Sequence, residues 1–182
     1  MPLKNKVALV TGSAGAIGYG VCKGLLEAGA SLAASDLPGR RLDELTRDLE
    51  QIAPGRVLGV PLDVTDAASI DKAFETIIET FGGIDILVHN AGIAMVARLR
   101  DIDMDEFRRL EKVNVEGTLR ILQAIANHMI ARATGGDIII MSSKTVPAPG
   151  AGFGGYSATK AACHQLGRIA SIELAPLSLI HI

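Results

Sequence analysis

Tyr156 and Lys160 lie four residues apart at the start of a helical pattern, so their side chains share one helix face. A phenol with an ordinary pKa near 10 is a poor base at neutral pH, and an ammonium one turn away favours its phenolate. Lowering the phenol by about 2–3 units requires roughly 3–4 kcal/mol, which a partly buried charge ~4 Å away can supply. Ser143 closes an apolar run 13 residues upstream, where its hydroxyl can hydrogen-bond a reacting oxygen. A Pro/Gly-rich loop, 144–155, separates it from the tyrosine. Asn114, flanked by Val113 and Val115 inside a long helical pattern, can hold a water that completes a proton path to Lys160.

The elements that must position this set alternate regularly. Val7–Val10, 31–35, 57–60, 84–89 and 137–141 read as strands. Helical patterns cover about 16–28, 43–52, 67–81, 103–133 and 155–175, the last broken at Pro176. Strands alternating with helices of this size imply right-handed βαβ units and a mainly parallel sheet. The strand runs are apolar throughout, as expected when helices cover both faces. No Pro/Gly/Ser linker divides the chain, so residues 1–176 are expected to form a single domain.

The turn after the first strand contains Gly12, Ser13, Gly15, Ala16, Ile17 and Gly18. Gly12 permits a tight turn, Gly18 lets the helix pack closely, and the small residues between admit a pyrophosphate. Free N–H groups and the macrodipole at the helix start favour its charge. The same glycines also suit a purely structural turn. Asp36 closes the second strand, where a carboxylate can accept both adenosine ribose hydroxyls and repel a 2′-phosphate, favouring NAD over NADP. Arg40 and Arg41 either reach a phosphate or form a solvated helix start. Asp63 either caps the next helix or, with Val64, meets the adenine. Asn90, Ala91 and Gly92 end the fourth strand on the same sheet edge: Asn90 can brace backbone, Gly92 leaves room for the cofactor, and His89 before them reads as structural.

Composition narrows the function classes. With 48% hydrophobic residues and a net charge of −2, the chain does not resemble a nucleic-acid-coating or disordered protein. No apolar run approaches the ~18–20 residues of a membrane span, and Met1-Pro-Leu-Lys-Asn-Lys-Val lacks a secretory h-region. Cys22 and Cys163 are expected as buried thiols, without a metal, in a reducing cytoplasm.

Taken together, Thr11-Gly-Ser-Ala-Gly-Ala-Ile-Gly18, Asp63-Val64, Asn90-Ala-Gly92, Asn114, Ser143 and Tyr156-Ser-Ala-Thr-Lys160 resemble the short-chain dehydrogenase/reductase family over about residues 5–176. The resemblance implies a Rossmann-type doubly wound parallel sheet in three α/β/α layers. It implies Tyr156 as general acid/base, Ser143 orienting the substrate, Lys160 lowering the tyrosine pKa and binding the nicotinamide ribose, and Asn114 anchoring the relay water. Ala16 stands where the family usually has glycine, and His89 where asparagine is commoner. The implied reaction is NAD(H)-linked interconversion of a small-molecule secondary alcohol and its ketone, in a homodimer or homotetramer assembled through helices 103–133 and 155–175. The alternatives are an NADP-linked 3-oxoacyl thioester reductase and a non-catalytic nucleotide-binding scaffold. Loop 144–155 is similar to that of members acting on sugar- or polyol-derived hydroxyls, including those fused to a sugar-phosphate aldolase. Lys144 in it would meet an anionic or polyhydroxylated substrate, or simply solvent. Leu177-Ser-Leu-Ile-His-Ile182 is unlike the family's continuation and matches the translation of a transposase end sequence used in sequencing libraries. The expectation is a C-terminally truncated member with a non-native tail, lacking its last strands and inactive alone, in which the fifth strand is an uncovered sheet edge.

Overall fold

The computed structural model describes residues 1–175 together with Ile180 and His181. Strands β1 (Val7–Thr11), β2 (Ser31–Asp36), β3 (Val57–Pro61), β4 (Ile86–His89), β5 (Gly136–Ile140) and β6 (Ile180–His181) form one sheet in the order β3-β2-β1-β4-β5-β6. Every pairing is parallel. The chain moves outward from β1 to β3, then returns to place β4 on the other side of β1, so the direction of winding reverses between β1 and β4. Such a reversal opens a crevice at the strand C-termini.

Helices α1 (Ala16–Glu27) and α2 (Arg40–Ile52) cover one face; α3 (Ala67–Phe81), α5 (Gly117–Arg132) and α6 (Gly154–Leu174) cover the other. The alternation within each strand decides which residue meets which layer. Leu9, Leu87 and Ile138 pack with Ile121, Ile125 and Met129 of α5. Ala8, Val10, Ile86 and Val88 pack with Cys22, Leu26 and Leu49 on the opposite side. Asp66 caps α3 by accepting the Ala68 N–H, and left-handed Gly82 (φ 83°) ends it.

Several boundaries differ from the sequence expectation. The long helix is three pieces: α4 (Met104–Glu111), a π-helical segment Lys112–Glu116, and α5. In the π segment the Gly117 N–H bonds the Lys112 carbonyl, which admits an extra residue at Asn114. α2 starts at Arg40, immediately after Gly39 at φ 140°. β4 begins at Ile86, and Asp85 before it already bonds both neighbouring strands, its N–H donating to the Val7 carbonyl and its carbonyl accepting the Asp137 N–H, each at 2.9 Å. The Ile84 N–H donates to His128 Nε2 at 3.0 Å, and the Asp85 carboxylate accepts the Val7 N–H at 2.8 Å. At the far side, among the described residues, β6 pairs with Gly136 and Asp137, and Ile139 farther along β5 is 46% exposed. Of the expected non-native tail 177–182, only Ile180 and His181 fall among the described residues.

Two isoleucines of α5 test this layering: Ile125 is fully buried beneath the sheet, whereas Ile130 is 45% exposed. Ile125→Ala should cost about 2–5 kcal/mol in urea unfolding, and Ile130→Ala should stay within about 0.5 kcal/mol. Equal losses would contradict the assignment of faces.

Candidate functional site

A cleft of about 850 Å³ runs along the C-terminal ends of β1 to β5. Gly12, Gly15, Ala16 and Ile17 line it at the first turn, Asp36 at the end of β2, and Asp63 and Val64 after β3. Asn90, Ala91 and Gly92 line it after β4, and Tyr156 and Lys160 from α6.

Gly12 adopts φ +65°, and a Cβ there would lie 2.8 Å from the Ala91 Cα. The first turn therefore nests against the residues following β4. α1 begins at Ala16 with no side-chain cap and no acidic residue in its first turn, and its start faces the cleft. That arrangement suits an anion such as a dinucleotide pyrophosphate. The Asp36 carboxylate is fixed at the wall by N–H groups of Ala14 (2.9 Å) and Leu37 (2.8 Å). A carboxylate has about four acceptor positions, so lone pairs remain for ligand hydroxyls. Arg41 lines the same cleft, while Arg40 pairs with Glu44 at the surface. Asp63 accepts the Thr65 N–H and hydroxyl, each at 2.8 Å; the helix-cap role falls to Asp66.

At the reacting end Lys160 is buried and its Nζ donates to the Met141 carbonyl at 2.8 Å. Burial pushes its pKa below the ordinary lysine value, with the neighbouring Cys163 pulling the other way. Gly92 lets the loop after β4 close over both groups: a Cβ there would meet Asn114 Oδ1 at 3.1 Å and Lys160 Nζ at 3.4 Å. Asn114 holds that loop from behind. Its Oδ1 accepts the Ile93 N–H, and its Nδ2 donates to the Ile93 carbonyl and the Thr159 hydroxyl. Its own carbonyl accepts from Thr118 Oγ1 and Cys163 Sγ. The geometry gives Asn114 a bracing role between the loop and α6.

Four of the expected residues lie off the cleft. Ser13 is buried, and both its N–H and its hydroxyl donate to the Ser35 carbonyl (3.0 and 2.9 Å), so it is turned toward the sheet. Gly18 packs beneath the turn, where a Cβ would collide with the Gly12 carbonyl. Asn114 stands behind Gly92. Ser143 lines a neighbouring cavity of about 460 Å³ with Lys144 and His164, and accepts from the Thr145 N–H and hydroxyl. Ser142 borders both cavities. Sequence reading overlooked Ser142, and also Arg109 and Lys112 on the cleft wall. Nothing in their spacing marks them. His89 is buried between Thr11 Oγ1 (2.8 Å) and Thr118 Oγ1 (3.0 Å). Burial, then the Lys160 charge, hold its pKa down at about 3. Both cysteines are buried free thiols, Cys22 with its pKa pushed up to about 12 by burial.

A doubly wound parallel sheet with a glycine turn at its reversal point and an uncapped helix start beside it defines a dinucleotide-binding architecture. The chain belongs to the short chain dehydrogenase family, whose model matches residues 6–182. It is 38% identical over 174 residues to a sorbitol dehydrogenase of Cereibacter sphaeroides and, over the same length, to a galactitol 2-dehydrogenase of Agrobacterium fabrum. Each alignment covers 96% of this chain and 66% of the relative, so the chain spans about two thirds of their length. Among solved structures, a short-chain type dehydrogenase/reductase from Mycobacterium ulcerans superposes with a TM-score of 0.94 at 28% identity, covering 100% of this chain and 66% of that one. An NAD+-bound xylitol dehydrogenase superposes at 0.92 and 28% identity, covering 100% and 69%. No helix among the described residues is long and apolar enough to cross a membrane.

Two histidines give stability a definite pH dependence, His89 buried and His128 half-buried. His89 stays neutral in the fold down to about pH 3, whereas an unfolded histidine protonates near 6.5. Its contribution is complete above pH 6.5 and is lost on acidification, at roughly 1.4 kcal/mol per pH unit. His128, whose pKa is lowered chiefly by burial, acts in the same direction. Urea midpoints should fall between pH 7 and pH 4, and His89→Gln should fall less steeply. Identical pH slopes in the two proteins would contradict this.

Proposed function

We propose that the protein is an NAD(H)-dependent oxidoreductase that interconverts a secondary alcohol and its ketone, with Tyr156 as general acid/base. The observation that carries this reading is a single cleft lined by the uncapped start of α1, the Asp36 carboxylate, and the Tyr156/Lys160 pair. In this reading Gly12 and Gly15 to Gly18 hold the pyrophosphate, with Gly18 acting through packing. Asp36 receives the adenosine ribose hydroxyls, and Asp63 and Val64 border the adenine. Asn90 shapes the first turn by donating to the Gly12 carbonyl at 2.9 Å, and Ala91 and Gly92 leave room beside Lys160. When bound, the nicotinamide accepts or supplies the hydride.

The chain's own residues then manage the proton. Tyr156 takes it from the alcohol or returns it to the carbonyl oxygen, and Lys160 steadies the phenolate and binds the nicotinamide ribose. Ser143 hydrogen-bonds the substrate oxygen, entering from the adjoining cavity that also presents Lys144. Asn114 keeps the Gly92 loop and α6 in register while the proton moves. A carboxylate at Asp36 opposes a 2′-phosphate and supports NAD; Arg41 on the same wall is what favours the NADP-linked alternative. The sorbitol and galactitol dehydrogenases support a polyol- or sugar-derived substrate. Residues 1–176 act in this reading as one cofactor-binding domain. Exposed Leu119 and Ile130 of α5, with Ile169 and Ile172 of α6, support assembly of copies through these helices.

The reading is tested by following NADH absorbance while the protein that carries this chain is offered a panel of polyols, with NAD and NADP in parallel. A polyol should be oxidised faster with NAD, and Tyr156→Phe should lower kcat by about 10²–10⁴-fold. Unchanged turnover in that variant would exclude tyrosine as the acid/base.

A further inference from the structure

We propose that His89 is a positioning residue, held as the neutral Nε2–H tautomer, that ties the first turn to the π segment bearing Asn114. Its kinetic consequences rest on the oxidoreductase reading, whereas the tautomer stands on hydrogen-bond geometry alone.

The tautomer follows from counting donors. Thr11 Oγ1 accepts the N–H groups of Asn90 and Ala91, each at 3.1 Å. A hydroxyl has two acceptor positions and one proton, so the proton that remains on Thr11 is directed to its third partner, His89 Nδ1, at 2.8 Å. Nδ1 is therefore an acceptor, and the ring hydrogen sits on Nε2. From there it is donated to Thr118 Oγ1 at 3.0 Å, and Thr118 donates its own proton to the Asn114 carbonyl. A protonated ring would direct a second N–H at an oxygen already receiving two. With His89 3% exposed, no bulk water relieves that conflict.

The line of bonds crosses the molecule where the sheet reverses. Thr11 and His89 are direct partners on β1 and β4 and point to the α5 side, and Thr118 lies in the first turn of α5. Beyond the Asn114 carbonyl, the Asn114 amide donates to Thr159 Oγ1 at 3.0 Å, and Thr159 donates to the Tyr156 carbonyl at 2.9 Å. The turn that receives the pyrophosphate and the helix that carries Tyr156 and Lys160 are thus connected through one imidazole. An imidazole has an acceptor and a donor on opposite sides of a rigid ring, so it can serve both threonines at once. Asparagine at this position is too short to reach both. Loss of the bridge shifts Asn114 and α6 relative to the first turn, which acts on the reacting geometry around Tyr156 and Lys160 and leaves the contacts of the first turn and Asp36 in place.

The test combines histidine NMR with kinetics on the same protein. With ¹⁵N-labelled histidine, and His89→Asn used to assign the signal, the His89 ring should show Nε2–H and unprotonated Nδ1 at pH 7, unchanged at pH 5. In polyol oxidation, His89→Asn and Thr118→Val should each lower kcat by about 10–100-fold, the scale of a ~1 Å misplacement, with KM for NAD within about twofold. The double variant should be no slower than the slower single, and His89→Gln, which keeps one donor and one acceptor, should recover much of the rate. An Nδ1–H tautomer or a protonated ring at pH 5 overturns the proposal. So do unchanged kcat values, or losses that multiply in the double variant. If the wild type turns over no alcohol with either cofactor, the oxidoreductase reading falls, and the ring signals still decide the tautomer.

Discussion

A β-carbon at residue 12 would lie 2.8 Å from the Ala91 Cα, and the rest of the site depends on its absence. The chain leaves β1 in a left-handed glycine turn that presses against the backbone after β4, where the winding of the sheet reverses. Thr11 seals this approach by accepting two N–H groups from Asn90 and Ala91, and Asn90 closes it by donating to the Gly12 carbonyl. With the two strand ends held together, the start of α1 and the loop through Gly92 face one cleft. A side chain at residue 12 would separate them, and the cleft would lose the wall that joins its two ends.

The second dependence is electrostatic. Lys160 is buried against the Met141 carbonyl, close to the loop that Gly92 keeps thin. A cation in that position is costly to desolvate, and its pKa is lowered accordingly. The fold accepts the cost one helical turn from Tyr156, where both residues line the same cleft. The same charge adds to the burial that keeps His89 neutral, and neutrality is what the Thr11–His89–Thr118 line of hydrogen bonds requires. The first turn, the sheet centre and α6 are thereby connected through His89 and Thr118, which lie off the cleft lining.

Much of this was legible in the sequence. The alternation of apolar runs with helical patterns foretells the parallel sheet, because period and length are local properties. Gly12, Asp36, Gly92, Tyr156 and Lys160 stand out because each chemistry needs that residue type at that point of a strand or helix. What escaped was set by distant partners. Ser13 reads as one of the small residues of the first turn, and the bond of its hydroxyl to the Ser35 carbonyl is not visible from the sequence. Asp63 and Asp66 are equally good caps by composition, and only the position of Ala68 selects Asp66. No proline or glycine within Lys112–Glu116 announces a π segment; its register is fixed by Thr118 and Cys163, which reach the Asn114 carbonyl. His89 reads as structural and is buried, but its second partner, Thr118, lies 29 residues away and is not visible from the sequence.

The central claim is that this sheet edge gathers a dinucleotide site tuned by Asp36, and binding tests it without requiring turnover. Calorimetric titration of the protein with NAD and with NADP should give saturable binding of NAD and at least about tenfold weaker binding of NADP, about 1.4 kcal/mol. Asp36→Ala should erase most of that difference. Absence of NAD binding, or a preference that survives the loss of the carboxylate, would contradict the account.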